Sequence, residues 1–229
     1  MVADGLRQQA VLLGTLDHLN ILRPVEVGDS QDYGFFSALE YAAGGCLADK
    51  IRSGPLSPTE AVSMTRAIAS ASQYARERGV VPFDLTPRSV LLAEDDLPKL
   101  ADFRPAGADH ADMLRSRTLT PGYSAPEELA PSEGVEQTPC TDVYRIGAVL
   151  YAMLTGQPPF FCGGDLFETF RQMLEQAPAP VRQRNAAVPT ALEAVCLKCL
   201  EKSPMLRYAK PGSLVDTLDK FLGLSQRQA

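Results

Sequence analysis

The chain contains no cluster of lysines or arginines, and its 229 residues carry a formal charge of −6. Phosphate contacts need concentrated positive charge, so a general nucleic-acid binder is excluded. Long apolar runs are missing too. A stretch such as Ile146 to Leu154 falls well short of the roughly 20 residues that cross a bilayer. Met1 to Asn20 lacks a secretory pattern, so a cytoplasmic protein without a membrane segment is expected. Cysteine is sparse and odd in number. Cys46, Cys140, Cys162, Cys196 and Cys199 show no regular spacing, which argues for reduced thiols rather than a disulfide framework. Cys196 and Cys199 form a lone C-x-x-C, but Leu192, Val195, Cys196, Cys199 and Leu200 recur at helical spacing. With no second ligand pair, core packing is the stronger reading than a zinc site. His18 and His110 have no partners at metal spacing. His18 is expected to cap or pack below the first helix, and His110 to meet solvent. No internal repeat is present.

What is there is ordinary for a globular protein: 45% apolar and 22% charged residues, enough to build one large domain with a sizeable core. Leu6, Ala10, Leu13 and Leu16 step by three and four, predicting an amphipathic helix over 6–16. Two short strands follow, Val25 to Val27 and Tyr33 to Glu40, split by the polar turn Gly28 to Asp32. Ser57 before Pro58 is a helix cap, and Ala61, Met64, Ile68, Ala71 and Ala75 mark a long helix to about Arg78, the expected spine of the domain. Val90 to Leu92 and Lys99 to Ala101 read as a hairpin about the acidic turn Glu94-Asp95-Asp96. Arg104 to Thr120 is long for a connection inside a domain. Helices return at Cys140 to Leu154, Asp165 to Glu175, Pro189 to Glu201 and Gly212 to Leu222, with Gln176 to Val188 as a linker.

Three segments in the middle of the chain carry a pattern. Gly79 to Leu92 reads Gly-Val-Val-Pro-Phe-Asp-Leu-Thr-Pro-Arg-Ser-Val-Leu-Leu, Lys99 to Arg104 reads Lys-Leu-Ala-Asp-Phe-Arg, and Pro121 to Glu127 reads Pro-Gly-Tyr-Ser-Ala-Pro-Glu. In order and spacing they resemble the catalytic loop, the metal-binding loop and the end of the activation segment of the Ser/Thr protein kinase family, especially its bacterial members. Leu39 to Gly45 is similar to the hinge between the lobes, Asp142 to Gly147 to the helix that anchors the catalytic loop, and Leu154 to Phe160 and Cys199 to Tyr208 to large-lobe signatures. The resemblance implies an α+β, mainly helical, protein kinase-like fold: a large C-terminal lobe with a remnant of the small lobe, one helix plus two strands. The implied divisions are 1–41 for the remnant and hinge, 42–224 for the large lobe and 225–229 for a tail.

The same resemblance assigns roles by position. Asp84 would be the catalytic base, Asp102 a magnesium ligand, and Leu39, Glu40, Ala42 and Leu91 would surround the nucleotide. ATP and Mg²⁺ are the implied cofactors, if binding is retained. Asp142 and the pair of Glu127 with Arg207 read as architecture, while Thr118 and Thr120 fall in the activation segment. Phe103, Leu13 and Leu91 would join the hydrophobic core. Several positions depart from the family pattern. The residues before Asp84 are Pro82 and Phe83 in place of histidine and arginine, Thr86 stands for a lysine, Ser89 for the asparagine on magnesium, and Arg104 for a glycine. Gln9 takes the place of the helix glutamate, and the Gly-rich loop and strand lysine would lie before Met1. Phosphoryl transfer relies on these groups for positioning and charge stabilisation. Losing one well-placed charge stabiliser commonly costs about 10² to 10³ in rate. The expectation is therefore a truncated, pseudokinase-like domain that binds protein partners. An active or weakly active ATP-dependent kinase completed by an upstream segment or partner, and a non-functional truncated product, are the alternatives. At the retained positions two readings stay open: Asp84 is a base or a plain loop carboxylate, and Asp102 binds metal or loop amides.

Overall fold

The computed structural model describes residues 14–30, 32, 34–106, 120–129, 137–160, 163 and 165–227. Most of the expected first helix, with Gln9 and Leu13, lies outside them, as do His110, Thr118 and Cys162. The described chain opens on a hairpin of β1 (Pro24–Ser30) and β2 (Gly34–Leu39), paired antiparallel from Pro24↔Leu39 to Ser30↔Gly34. Gly28 to Ser30, expected as a turn because they are polar, are strand. Polarity there reflects solvent on the ribbon, whose residues are mostly exposed. After Gly44-Gly45 comes α1 (Leu47–Arg52), six residues long and too short to show a period in the sequence.

The long helix α2 (Pro58–Arg76) starts where the sequence says. Ser57 Oγ accepts the Glu60 amide at 3.3 Å, and proline occupies the first turn. Beyond it, β3 (Val80–Pro82) pairs with β6 (Phe103–Pro105), while β4 (Val90–Leu92) and β5 (Pro98–Leu100) form the expected hairpin. The β3–β6 ladder is three residues long, and no strands were expected at these positions. The remaining helices are α3 (Pro126–Leu129), α4 (Pro139–Thr155), α5 (Leu166–Glu175), α6 (Val181–Arg184), α7 (Thr190–Cys199) and α8 (Pro211–Arg227). α6 interrupts the expected linker.

The spine is α4, not α2. α2 buries one face, including Ala61, Met64, Ile68 and Ala71, whereas every residue of α4 from Thr141 to Leu154 is buried. A helix apolar all round belongs at the centre of its domain, and α2, α7 and α8 pack about it. Its ends are fixed locally. Thr138 and Thr141 exchange side-chain and backbone bonds at the start, and Gly156 closes the end with φ +77°. No helix among the described residues is long and apolar enough to cross a membrane.

α4 and α7 touch without clearance at Gly147. A Cβ there would lie 2.3 Å from the Cys199 Cβ, inside any real contact. Gly147→Ala is expected to lower stability by about 1–3 kcal/mol, the usual cost of overpacking, in urea unfolding. Cys199→Ala should not rescue it, because the clash is with a Cβ that alanine keeps. Parent-like stability of Gly147→Ala would contradict this packing.

Candidate functional site

Three short segments meet beside the N-terminal half of α4. At the end of α2 the chain reverses through Gly79, with φ +74°, and enters β3. Pairing of Pro82 with Phe103 and Val81 with Arg104 then sets Pro82-Phe83-Asp84 alongside Asp102-Phe103-Arg104, and the Phe83 amide donates to the Asp102 carbonyl at 2.8 Å. Phe103 is wholly buried. The third segment begins at Thr120, whose Oγ1 donates to Asp84 Oδ2 at 2.5 Å.

Side chains pin this loop from below. The consecutive carbonyls of Pro82, Phe83 and Asp84 each accept from a different donor: Gln137 Nε2 at 3.2 Å, Arg145 Nη1, and Ser89 Oγ at 2.8 Å. Gln137 is a three-way joint. Its amide nitrogen also donates to Asp142 Oδ1 at 2.8 Å, and its oxygen accepts from Arg104 Nη2 at 2.7 Å. Asp142, 1% exposed, is further held by Arg76 at 2.7 Å. Arg145, equally buried, forks onto Glu128 at 2.6 and 3.0 Å. Below these, Arg207 forks onto Glu127 at 2.7 and 2.8 Å, and Thr141 adds a bond to the same carboxylate. Burial pushes the Glu127 carboxyl up, but the Arg207 guanidinium outweighs it and holds the pKa below the usual range.

The candidate residues are not equivalent. Asp84 is half-buried, and burial pushes its pKa up against the opposing pull of Thr120 and Arg145. Asp102 is exposed, stands at φ +60° and finds no hydrogen bond for its carboxylate among the described residues. A left-handed aspartate costs of order 1–3 kcal/mol unless its surroundings hold it, and the β6 pairing on one side does so. Thr86 and Ser89 are buried. Ser89 Oγ accepts the Thr86 amide at 3.0 Å while donating to the Asp84 carbonyl, and Thr86 Oγ1 accepts the Arg88 amide at 3.2 Å. Both hydroxyls are spent on the turn. As a metal donor set this leaves one available carboxylate, Asp102. That fits the way Mg²⁺ is held by one or two carboxylates with phosphate and water completing the shell; Ser89 does not fit. Arg104 is buried against the Phe83 ring, its Cζ 5.1 Å from the centroid, with no partner for Nε among the described residues.

At the hinge, Leu39 is exposed and Ala42 half-buried. The Glu40 side chain is turned away into bonds with Lys99 Nζ at 2.7 Å and the Arg23 amide at 2.9 Å. Burial raises its pKa, and these donors outweigh that to leave it lowered. Gly44 donates to the Leu92 carbonyl at 2.8 Å and Cys46 bridges Leu91, so the chain leaving the hinge runs along β4. A Cβ at Gly44 would sit 2.9 Å from that carbonyl oxygen, which is why glycine is needed. Away from the site, Cys196 and Cys199 are fully buried and burial pushes the Cys199 thiol up to about 12. Both pack in the core between α4 and α7.

Gln137, Arg145, Glu128 and Arg76 escaped the sequence reading. A signal existed for Arg145: a charge inside an apolar helix demands a buried partner. Gln137, which lies just before α4, gives none.

A family model for the protein kinase domain matches residues 4–216, and the chain belongs to the Ser/Thr protein kinase family. Serine/threonine-protein kinase PkaA of Streptomyces coelicolor is 38% identical over 89% of this chain and 37% of its own length. Serine/threonine-protein kinase PrkC of Bacillus subtilis is 30% identical over 88% of the chain and 31% of its own. The chain thus spans about a third of the length of these curated relatives. A solved structure of Rad53 1-466 in complex with AMP-PNP matches with a TM-score of 0.77 over 93% of this chain and 54% of that one. At 21% identity the likeness is one of fold.

Two outcomes are expected. Gln137→Ala leaves Arg104 and the Pro82 carbonyl short of a partner in a buried site, and should cost about 1–3 kcal/mol in urea unfolding; a change near zero would contradict the joint. His18 Nδ1 accepts the Asn20 amide at 3.1 Å, leaving Nε2–H to face Ser70 Oγ at 3.3 Å, so the ring is held neutral. Burial and then Arg78 lower its pKa. Because the folded form resists protonation, stability should fall as pH drops below about 6.5 toward the lower folded value. His18→Gln should flatten that part of the Tm–pH curve; an unchanged slope would contradict it.

Proposed function

We propose that this domain is a degenerate protein kinase that works as a protein-binding module, with little or no phosphotransfer. The observation that carries the reading is the use made of the altered positions. Thr86 and Ser89, where the family places a lysine and a magnesium-binding asparagine, are buried and bonded into the turn. Arg104 fills a glycine's place with a buried guanidinium. The loop is finished as a piece of architecture, and the charges that would stabilise a transferring phosphoryl group are not among its parts.

A partner surface is supported by apolar exposure. On the β1–β2 ribbon and hinge, Val25 is 72% and Tyr41 89% exposed, with Val27, Phe36 and Leu39 beside them. Two strands alone are marginal in water and leave unpaired edges. Burial of this face by a protein partner, or by chain preceding the sequence given, follows from that imbalance. On α5, Leu166 and Phe167 are also exposed.

A second reading, an active or weakly active ATP-dependent Ser/Thr kinase, is favoured by the exposed Asp102, whose carboxylate has no partner among the described residues, next to a firmly placed Asp84. A thermal-shift titration with Mg²⁺ and ATP separates the two. The binding-module reading expects no shift in Tm. A clear shift that disappears in Asp102→Ala would overturn it in favour of a working nucleotide site.

A further inference from the structure

Arg145 does more than its ion pair requires. It sits in the apolar body of α4 and is 1% exposed. Glu128 takes two of its nitrogens, Nε at 3.0 Å and Nη2 at 2.6 Å. That bidentate fork alone would neutralise both charges. The third nitrogen, Nη1, reaches out of the pair to the Phe83 carbonyl. This carbonyl belongs to the peptide joining Phe83 to Asp84. Because a peptide is planar, fixing its C=O fixes the direction in which the Asp84 Cα departs. The Asp84 carboxylate then meets Thr120 Oγ1 at 2.5 Å. A guanidinium is a rigid plane, so α4, Glu128 and the loop are held at one angle by a single group.

We propose that Arg145 is a positioning residue: through the Phe83 carbonyl, with Glu128 as counter-ion, it sets the Phe83–Asp84 peptide and thereby aims the Asp84 carboxylate. The loop itself carries no cation at this point. Phe83 occupies the place before Asp84, and its ring packs under Arg104. The positive charge comes instead from the helix beneath, paired with Glu128 of α3. This inference rests on loop geometry and holds whether or not phosphate is transferred.

The test is hydrogen exchange of the Phe83 amide, which donates to the Asp102 carbonyl and so reports the seating of both loops. In Arg145→Met with Glu128→Gln both charges leave together, avoiding a stranded buried ion. The glutamine side chain keeps an oxygen for the Ala125 amide, which Glu128 now accepts at 2.8 Å. Exchange at Phe83 is expected to quicken by about tenfold or more relative to Val149 in α4, as for loss of a hydrogen bond to a charged group. Should this pair of changes not fold, Arg145→Lys carries the same readout, since one ammonium retains the charge but cannot fork to Glu128 and reach Phe83. Phe83 exchange equal to the parent's, or a rise matched at Val149, would overturn the proposal and leave Arg145 as a stabilising ion pair.

Discussion

Asp142 and Arg145 lie one helical turn apart in a helix that is otherwise apolar and buried on every side. Charges so placed must be neutralised inside the protein, since an unpaired one costs several kcal/mol. Each is answered by an opposite charge, Arg76 for Asp142 and Glu128 for Arg145. Each then has capacity left over. Asp142 accepts from Gln137, Arg145 donates to Phe83, and Gln137 passes the connection on to Pro82 and Arg104. The loop bearing Asp84 is thus hung from the central helix by the groups that keep the helix neutral. Satisfying the helix and shaping the site are one constraint, so the loop geometry survives changes in the residues that line it.

That coupling explains how a kinase fold can persist with altered residues in its central loop. Glu127 with Arg207 and the Asp142 cluster tie the loops to the helices whether or not anything reacts there. Thr86, Ser89 and Arg104 are tolerated because each finds a place in the turn or against Phe83. Membership of the family fixes the scaffold, and activity is a property of the site. The site offers two carboxylates, Asp84 bonded to Thr120 and Asp102 exposed.

The sequence was most legible where periodicity ran long or caps were explicit. Ser57-Pro58 and the apolar steps after it placed α2, and Val90 to Leu92 with Lys99 to Ala101 placed the hairpin, whose second strand is Pro98–Leu100. Leu192, Cys196 and Cys199 appeared as packing residues and are buried. Short elements were not legible: α1, α6 and the β3–β6 ladder depend on partners distant in the chain, and three to six residues carry too little pattern. The choice of spine went to α2 because its amphipathic stripe is easy to see, whereas a helix buried all round shows no stripe. At the site, motif order brought Asp84, Asp102 and Asp142 into view. Gln137 stayed hidden because a single amide before a helix has no signature, although it joins three segments. The bonds of Ser89 stayed hidden for a related reason. The family resemblance gave it a place on magnesium, whereas a hydroxyl's hydrogen-bond partners are set by the fold of its turn.

The central claim is that the scaffold is intact and the reacting charges are not. Its most direct test is transfer of labelled γ-phosphate from ATP to a hydroxyl-bearing peptide or to the protein itself, measured for the purified chain beside Asp84→Ala. Equal background from both is the predicted result. Transfer by the parent at a rate of about 1–100 s⁻¹, ordinary for kinases, and lost in Asp84→Ala, would contradict the account.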